Sequence, residues 1–280
     1  MNSSLEEKLI NLAIEEDIGN GDHTSLACFP EDALGRAHLL IKEQGILAGV
    51  KISIQIYKQI DPGIKIHLIR KDGDQINSGD IAFTVSGSSF SILKSERLVL
   101  NFMQRMSGIA TLTKKYTDAL KGLDTKILDT RKTTPGMRYF EKMAVKIGGG
   151  YNHRMGLYDR ILIKDNHIDM TGGIKPAIEA VQKYLIAQSL SLPIEIETRT
   201  VEDVIEVLSY GGISRIMLDN FNLTDTKRAV SLINHRYETE SSGGINLENI
   251  RDYALCGVDY ISVGALTHQI HSLDMSLKVF

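Results

Sequence analysis

The chain has 280 residues, of which 42% are hydrophobic and 24% charged, and its net charge is −3. These values are typical of a globular protein with room for a barrel and a smaller second domain. The slightly acidic net charge does not indicate a nucleic-acid-binding surface. No apolar run reaches the roughly 18 residues that a membrane helix needs. The first residues lack a signal-peptide pattern. Cys28 and Cys256 show no metal-binding spacing, so we expect reduced thiols and a cytoplasmic location.

The first part of the chain, about a hundred residues, predicts a small α+β unit. Its elements are a helix over 3–16, strands over 36–42, 64–68 and 81–85, and a segment over 50–60 whose pattern fits either a strand or a helix. Ser4 and Glu7 have the spacing of a capping box, which supports the start of the first helix.

A helical pattern then runs from residue 89 to residue 121, with an expected interruption at Ser107-Gly108. Beyond it, short apolar runs alternate with stretches of helical length. The runs cover 126–129, 161–164, 194–197, 215–218, 237–240 and 259–263, and the helical stretches cover 173–187, 201–210, 224–235 and 246–256. Six or seven such units predict a parallel sheet with crossover helices, and favour a closed or nearly closed α/β barrel.

Nearly every predicted strand of this sheet ends in a polar or ionisable residue. These residues are Asp129, Lys164, Glu195 or Glu197, Asp219, Glu240 and Ser262. In an α/β barrel the carboxyl ends of the strands converge on one mouth, where the active site lies. A core alone does not require so many charged residues, so the pattern predicts a site at the strand ends.

Positive charge is concentrated between residues 127 and 169, where eight Lys and Arg residues occur in a chain of negative net charge. Two polar clusters, 130–132 (TRK) and 152–154 (NHR), flank the triple glycine 148–150. Arginine presents a planar fork that matches carboxylate and phosphate oxygens, and glycine lets backbone approach a ligand closely. This stretch therefore predicts a binding site for a small polyanion rather than a solvated loop.

Glycine-rich turns follow the last two predicted strands. They are Ser241-Ser242-Gly243-Gly244 and Val263-Gly264-Ala265. Loops at this place in an α/β barrel commonly bind a phosphate group through backbone N–H groups. Each turn is a frequent sequence by itself, and its position after these strands is what indicates a phosphate site.

Long motifs in a fixed order make the chain resemble the quinolinate phosphoribosyltransferase family. The matching motifs are SERLVLNFMQRMSGIAT (95–111), DTRKTTPG (129–136), GGGYNHRMGLYD (148–159), LIKDNHI (162–168), EIET (195–198), IMLDNF (216–221), ESSGGI (240–245) and ISVGALTH (261–268). The first hundred residues match more loosely, mainly at EEDIGNGDHTS (15–25).

The resemblance implies a fold of two parts in the α/β class. Residues 1–108 would form an N-terminal α/β sandwich domain, in which 50–60 is a helix. Residues 109–268 would form a seven-stranded α/β barrel that carries the active site, and 269–280 would pack back on the N-terminal domain. The resemblance also implies a homodimer, or an assembly of dimers, in which Arg97 completes the neighbouring subunit's site.

The reaction implied by the resemblance joins quinolinate and phosphoribosyl pyrophosphate, with Mg2+ required. Its products are nicotinate mononucleotide, pyrophosphate and CO2, in NAD biosynthesis. The residues that the resemblance assigns to quinolinate are Arg97, Thr130, Arg131, Lys132, His153 and Arg154. Several fixed cations suit a dianion.

The same resemblance assigns the binding of phosphoribosyl pyrophosphate, the phosphoribosyl donor, to other residues. Lys164, Glu197 and Asp219 match the ribose and metal–pyrophosphate positions, with Glu197 and Asp219 toward Mg2+. Together with Lys132 these are the expected catalytic residues. The residues that match the 5′-phosphate loops are Ser242, Gly243, Gly244, Val263, Gly264 and Ala265. Strand alternation leaves open whether Glu195 also faces the site.

Two other functions are compatible with parts of the pattern. Lys164 at a strand end could form a Schiff base with a carbonyl substrate, as in barrel lyases with a phosphate loop, although the arginine-rich site argues against it. The chain could also be a close relative of the family that is encoded with molybdate transport genes. Its complete TRK, NHR and acidic motifs favour catalysis.

Overall fold

A computed structural model describes residues 4–30 and 32–280 of the chain. The helices are α1 (Leu5–Ile18), α2 (His23–Cys28), α3 (Val50–Ile60), α4 (Ser89–Ala119), α5 (Arg138–Ile147), α6 (Asp165–Thr171), α7 (Ile174–Ala187), α8 (Val201–Tyr210), α9 (Leu223–Ile233), α10 (Ile250–Leu255) and α11 (Ala265–His268). The strands are β1 (Leu34–Ile41), β2 (Gly45–Ile46), β3 (Lys65–Leu68), β4 (Gln75–Ile76), β5 (Ile81–Ser88), β6 (Lys126–Leu128), β7 (Ile161–Ile163), β8 (Ile194–Thr198), β9 (Arg215–Asp219), β10 (Glu238–Ser242), β11 (Tyr260–Ser262) and β12 (Met275–Val279). None of the described helices combines the length and apolar character that crossing a bilayer requires.

The chain divides into two units, each made of alternating stretches. The first contains the described residues up to Lys114 together with Thr134–Gly149 and Gln269–Phe280, and the second contains Lys115–Thr133 and Gly150–His268. The domain limits expected from the sequence stay a prediction.

The first unit is built on an antiparallel sheet in the order β12-β1-β5-β3. Strand β1 alternates as expected and buries Ala37, Leu39 and Ile41. The ambiguous segment over 50–60 is the helix α3, whose Tyr57 packs edge-on against Phe83 of β5 with ring centroids 6.2 Å apart. A helix is favoured there because most of its apolar side chains share a buried face, which includes Val50, Ile52, Ile56 and Tyr57.

The expected interruption of the long helix at Ser107-Gly108 is wrong, because α4 runs without a break. Ser107 is buried, and its hydroxyl accepts a hydrogen bond from the Ala48 N–H at 2.9 Å. A Cβ on Gly108 would lie 2.2 Å from the carbonyl oxygen of His271. These small residues therefore let neighbouring backbone approach the helix, and they do not break it.

The second unit contains a six-stranded parallel sheet in the order β6-β11-β10-β9-β8-β7. Tyr151 adds a one-residue parallel bridge to Leu128 of β6, so seven parallel segments follow one another. Every residue of β8 is buried, as expected for a strand covered on both faces. The α/β class, with an antiparallel N-terminal part and a parallel C-terminal α/β barrel, is confirmed.

Candidate active site

The ionisable strand ends of the second unit lie at one edge of its sheet, because all its strands run in the same direction. Lys164 follows β7, Glu197 lies near the end of β8, and Asp219 ends β9. Register pairs Asp219 with Ser242, the last residue of β10. The structure thus gathers at this edge the residues that the sequence assigned to the donor substrate.

Lys164 and Glu197 form an ion pair, with Nζ 3.0 Å from Oε1. Glu197 is nearly buried, whereas the Lys164 side chain is 46% exposed. The Lys164 backbone N–H donates to Nδ1 of His167 at 2.9 Å, which fixes the first turn of α6. The Lys164 backbone is therefore joined to the first turn of α6, and its ammonium group is open to solvent.

Asp219 is oriented by its neighbour Asn220, whose side-chain N–H donates to Asp219 Oδ2 at 2.8 Å. Asn220 has φ +57°, and its backbone N–H donates to the Ser242 carbonyl at 2.8 Å. Gly243 has φ +96°, and a Cβ there would lie 2.2 Å from Asn220 Oδ1. Only glycine fits this position. The turn after β10 therefore packs directly against Asn220, the residue that orients the Asp219 carboxylate at the end of β9.

Lys132 lies beside the turn that follows β11. The Thr267 hydroxyl donates to the Lys132 carbonyl at 2.8 Å, and a Cβ on Gly264 would be 3.1 Å from Lys132 Cδ. Lys132 is exposed, and its backbone N–H donates to Thr130 Oγ1 at 3.0 Å. The TRK cluster is therefore held against the second glycine turn.

Arg131 and Arg154 are close enough to repel each other. Arg154 is buried, and its Nη1 donates to the Arg160 carbonyl at 3.4 Å. Burial and the charge of Arg131 lower the pKa of Arg154, and Glu195 partly offsets them. The Nε atom of Arg131 is buried without a hydrogen-bond acceptor among the described residues. Two cations and an unmet hydrogen-bond donor therefore lie close together here.

The His153 ring accepts a hydrogen bond at one nitrogen and lies close to two carboxylates at the other. Its Nδ1 accepts the Arg154 backbone N–H at 2.7 Å, and its Nε2 lies 3.1 Å from Glu195 Oε2 and 3.6 Å from Glu240 Oε2. Its own backbone N–H donates to Asp129 Oδ1 at 2.9 Å. Only 7% of the side chain is exposed.

Glu195 on β8 and Glu240 on β10 are fully buried carboxyl groups, and β9 lies between their strands in the sheet. Burial and the neighbouring Glu195 raise the pKa of Glu240 to about 7, with His153 and Arg215 acting in the opposite direction. Burial also raises the pKa of Glu195, against the effect of Arg215 and Arg160. Arg215 Nη1 is 2.9 Å from Glu240, and its guanidinium lies 3.9 Å from the centre of the Tyr260 ring.

Two groups of side chains have atoms suited to a metal ion. Ligand atoms of His153, Glu195 and Glu240 lie within 4.8 Å of one another, but Arg215 already supplies positive charge there. Glu197 and Asp219 offer carboxylate oxygens at neighbouring strand ends, and oxygen ligands are what Mg2+ prefers. The donor chemistry of this second pair fits the expected Mg2+.

The structure also shows residues that the sequence did not single out. Asn220, Arg215 and Thr267 each contact an expected site residue or its buried partner. Arg215 could have been noticed in the sequence, because it is a charged residue at the start of a strand whose next three residues are apolar. Arg97, by contrast, is exposed on α4 in the first unit.

Two family models match the chain. The model for the N-terminal domain of quinolinate phosphoribosyl transferase matches residues 22–107, and the model for its C-terminal domain matches residues 109–278. Together they cover most of the sequence.

Individual relatives agree over nearly the whole length. The chloroplastic nicotinate-nucleotide pyrophosphorylase [carboxylating] of Arabidopsis thaliana is 48% identical, over 97% of this chain and 82% of that protein. A probable nicotinate-nucleotide pyrophosphorylase [carboxylating] of Bacillus subtilis is 42% identical, over 100% of this chain and 95% of that protein. The crystal structure of nicotinate-nucleotide pyrophosphorylase from Ehrlichia chaffeensis superposes with a TM-score of 0.92 at 34% identity, over 100% of both chains.

Proposed function

The chain belongs to the quinolinate phosphoribosyltransferase family, and we propose that the strand-end residues described above form its active site. It is a pentosyltransferase, a nicotinate-nucleotide pyrophosphorylase of the carboxylating type. It transfers the phosphoribosyl group of phosphoribosyl pyrophosphate to quinolinate with loss of CO2, and gives nicotinate mononucleotide and pyrophosphate. This is a step of NAD biosynthesis.

Quinolinate would bind at Arg131, Lys132, His153 and Arg154, with Thr130 beside them. The buried, unmatched Nε–H of Arg131 next to the buried Arg154 is the observation that carries this proposal. A dianion placed there would remove the repulsion between the two guanidinium groups and accept the unmet hydrogen bond. Binding and charge relief would therefore occur together.

The ribose and the pyrophosphate would lie at Lys164, Glu197 and Asp219. Carboxylates at this place stabilise the positive charge that grows on the ribose ring as pyrophosphate leaves, and Lys164 neutralises leaving-group oxygens. Mg2+ bound to Glu197 and Asp219 would supply charge neutralisation to the pyrophosphate. Asn220 keeps the Asp219 carboxylate in a fixed orientation for this role.

The 5′-phosphate would bind at the two glycine turns. Ser242, Gly243 and Gly244 form the first turn, and both glycines have positive φ, a backbone conformation found in anion-binding turns. Val263, Gly264 and Ala265 form the second, and Ala265 is the first residue of α11. A phosphate held there would place the ribose between the two carboxylates and Lys132.

The protein would act as a homodimer in which Arg97 reaches the partner's site. Support comes from the exposure of Arg97 on a helix whose neighbouring residues are mostly buried. A third guanidinium would suit a substrate with two carboxylates.

A cytoplasmic location is also part of this proposal. The cysteines of the described chain, Cys28 and Cys256, are both free thiols, as is usual in a reducing compartment. Fractionation of the source cells with an antibody against the chain would test the location.

A Schiff-base reaction at Lys164 is disfavoured by the structure of its surroundings. An imine-forming lysine needs a free amine, and the Lys164 Nζ is instead engaged by the Glu197 carboxylate at 3.0 Å. Borohydride trapping with keto acids should therefore leave Lys164 unlabelled. A role as a molybdate-associated relative would likewise be excluded by measured turnover.

The decisive experiment measures release of labelled CO2 from carboxyl-labelled quinolinate. Release should require phosphoribosyl pyrophosphate and Mg2+, and should fall strongly in the Arg154→Ala variant. Wild-type protein without release would contradict the function. Full release by Arg154→Ala would contradict the placement of quinolinate alone.

A further inference from the structure

Thr267 of α11 has a hydroxyl group that bonds a distant part of the chain. Its side chain is fully buried, and its Oγ1 donates to the Lys132 carbonyl oxygen at 2.8 Å, 135 residues earlier in the sequence. The Gly264 carbonyl oxygen, one turn before Thr267, lies farther from the same hydroxyl, at 3.4 Å. Threonine in a helix commonly bonds a carbonyl of the preceding turn. Since a hydroxyl has one proton, the shorter bond directs it to the TRK cluster and away from its own helix.

This bond joins two chain segments beyond the point where their strands end. Strands β6 and β11 pair in parallel as far as Leu128, and the Val263 N–H then donates to the Leu128 carbonyl at 3.0 Å. The two segments continue as the TRK cluster and the second glycine turn. Lys132 and Thr267 lie four residues after Leu128 and Val263, respectively. The hydroxyl of Thr267 therefore joins the same two segments again and fixes the cluster next to the turn.

The Lys132 side chain lies over the second glycine turn. A Cβ on Gly264 would be 3.1 Å from Lys132 Cδ, so the stem of the lysine passes across this glycine. Lys132 is exposed, and a lysine stem in solvent is flexible, so the reach of its ammonium group depends on where its backbone is held. By sequence Lys132 belongs to the cations proposed for quinolinate, and by position it adjoins the turn proposed for the 5′-phosphate. A contact that fixes its backbone therefore acts on both substrates.

We propose that Thr267 is a positioning residue for phosphoribosyl transfer, because its hydroxyl fixes the Lys132 backbone against the second glycine turn and so directs the ammonium group to the place where the two substrates meet. Thr267 itself touches neither substrate. The inference rests on the proposed placement of quinolinate at the TRK cluster and of the phosphate at the turn. A misplacement of about 1 Å can lower a rate by about two orders of magnitude, so one buried hydroxyl has a measurable effect on turnover.

The first test compares Thr267→Val with Thr267→Ser. The Val side chain keeps the shape of threonine and removes the hydroxyl, whereas Ser keeps the hydroxyl and removes a methyl group. Release of labelled CO2 should fall about tenfold or more in Thr267→Val and less than about threefold in Thr267→Ser. Packing alone predicts the opposite order, because Thr267→Ser deletes a buried methyl group. A loss in Thr267→Ser equal to or larger than that in Thr267→Val would overturn the proposal.

Thr125 supplies a matched control at the opposite ends of the same two strands. Its hydroxyl donates to the Val258 carbonyl at 2.7 Å, and these residues lie just before β6 and β11. Thr125→Val removes the same kind of bond between the same two segments, away from the proposed site. Turnover and quinolinate affinity should change less than about twofold. A loss as large as in Thr267→Val would show that the link between the segments matters and not the position of Lys132, which would overturn the proposal.

A double-mutant cycle tests whether Thr267 acts through Lys132. Calorimetry should show quinolinate affinity reduced about fivefold or more in Thr267→Val and in Lys132→Met, each in protein shown to be folded by circular dichroism. In the double variant, Thr267→Val should add less than about twofold to the loss caused by Lys132→Met, because the group that it positions is absent. A purely structural effect would instead add in full, and that result would contradict the proposal.

A second pair of variants keeps the proposal testable if Thr267→Val does not fold. Thr267→Ser and Thr267→Ala lack the same methyl group and differ in the hydroxyl alone, so equal turnover in these two would overturn the proposal.

Two further results separate the positioning role from the proposed function. Loss of quinolinate binding in Lys132→Met, with unchanged binding and turnover in Thr267→Val, would leave the substrate site standing and remove only the role of Thr267. Unchanged binding and turnover in Lys132→Met would place the error in the proposed substrate site, and the positioning role would fall with it.

Discussion

Lys164 and Glu197 neutralise each other across the ends of two adjacent strands, with 3.0 Å between ammonium and carboxylate. Glu197 is nearly buried and cannot rely on water to screen its charge. Any cation that approaches Glu197 must therefore share this carboxylate with Lys164. If Glu197 binds Mg2+ as proposed, the ion and Lys164 would compete for the same carboxylate.

The Lys164→Ala variant should lose turnover and leave Glu197 without its partner. We expect a loss of about 1.5–3 kcal/mol in transition-state stabilisation, the usual range for a charged hydrogen bond. Steady-state kinetics would measure it. Lys175→Ala is the control, because its pair with Glu179 is 3.8 Å long and exposed on α7; an equal effect of the two variants would contradict the assignment.

The Arg131→Ala variant should weaken quinolinate binding more than donor binding. The expected loss is about 1.5–3 kcal/mol, and more if a substrate carboxylate is left buried and unpaired. Calorimetry with each substrate separately measures the difference. Arg236→Ala, which removes an exposed guanidinium bonded to carbonyls at the end of α9, should leave both affinities unchanged. An unchanged quinolinate affinity in Arg131→Ala would remove this residue from the site.

The Asp219→Asn variant should lower turnover and leave quinolinate binding nearly intact. The proposed role of Asp219 is at the ribose and metal end, and the amide keeps the shape that Asn220 contacts. Titration of activity with Mg2+ should show a higher requirement for the ion. Loss of quinolinate binding with normal donor binding would mean that the two halves of the site are reversed.

Glu240 should make the folded protein less stable as the pH rises. Its pKa is raised from an ordinary value near 4.5 to about 7, so between these pH values the folded state binds more protons than the unfolded state. The free energy of unfolding therefore falls as pH increases through this window. Urea unfolding at several pH values should show a weaker fall in Glu240→Gln than in wild type. Identical slopes would show that Glu240 is already ionised throughout the window.

Mixing two inactive variants should restore activity if one site uses two chains. In exchanged dimers of Arg97→Ala and Lys164→Ala, about half are mixed, and one of the two sites in each mixed dimer has both wild-type residues. Roughly a quarter of wild-type activity is then expected. A tagged copy verifies subunit exchange. Exchange without recovered activity would show that Arg97 serves its own chain or only the fold.

Most strands and most helices of the described chain were predictable because their signals are local, whereas β2, β4 and β12 were not predicted. Apolar alternation located β1, and compact apolar runs located the six parallel strands to within two residues. Helix α6 was not predicted, because the residue that closes its first turn is His167, where capping rules expect Glu or Gln. Helix α5 was missed as well, since it buries Glu141 and Lys142 among its apolar residues.

The residues proposed for the candidate site were predictable from the sequence, but the buried contacts around them were not. The TRK and NHR clusters and the acidic strand ends stand out along the sequence. The contacts of Glu240 with Arg215 and His153 join separate parts of the second unit, and no short-range pattern encodes them. Alternation left the direction of Glu195 open, and the structure places it inward, beside His153.

The antiparallel sheet of the first unit has a consequence for synthesis on the ribosome. Its edge strand β12 pairs with β1, about 230 residues earlier in the chain, and every strand of the parallel sheet is translated between the two. At bacterial and eukaryotic elongation rates this gap lasts roughly 10–50 s. During that time β1 has an open edge on the side that β12 will fill, which is where a nascent chain is most exposed to wrong pairing. A chaperone that covers β1 in this interval would act before the last strand exists.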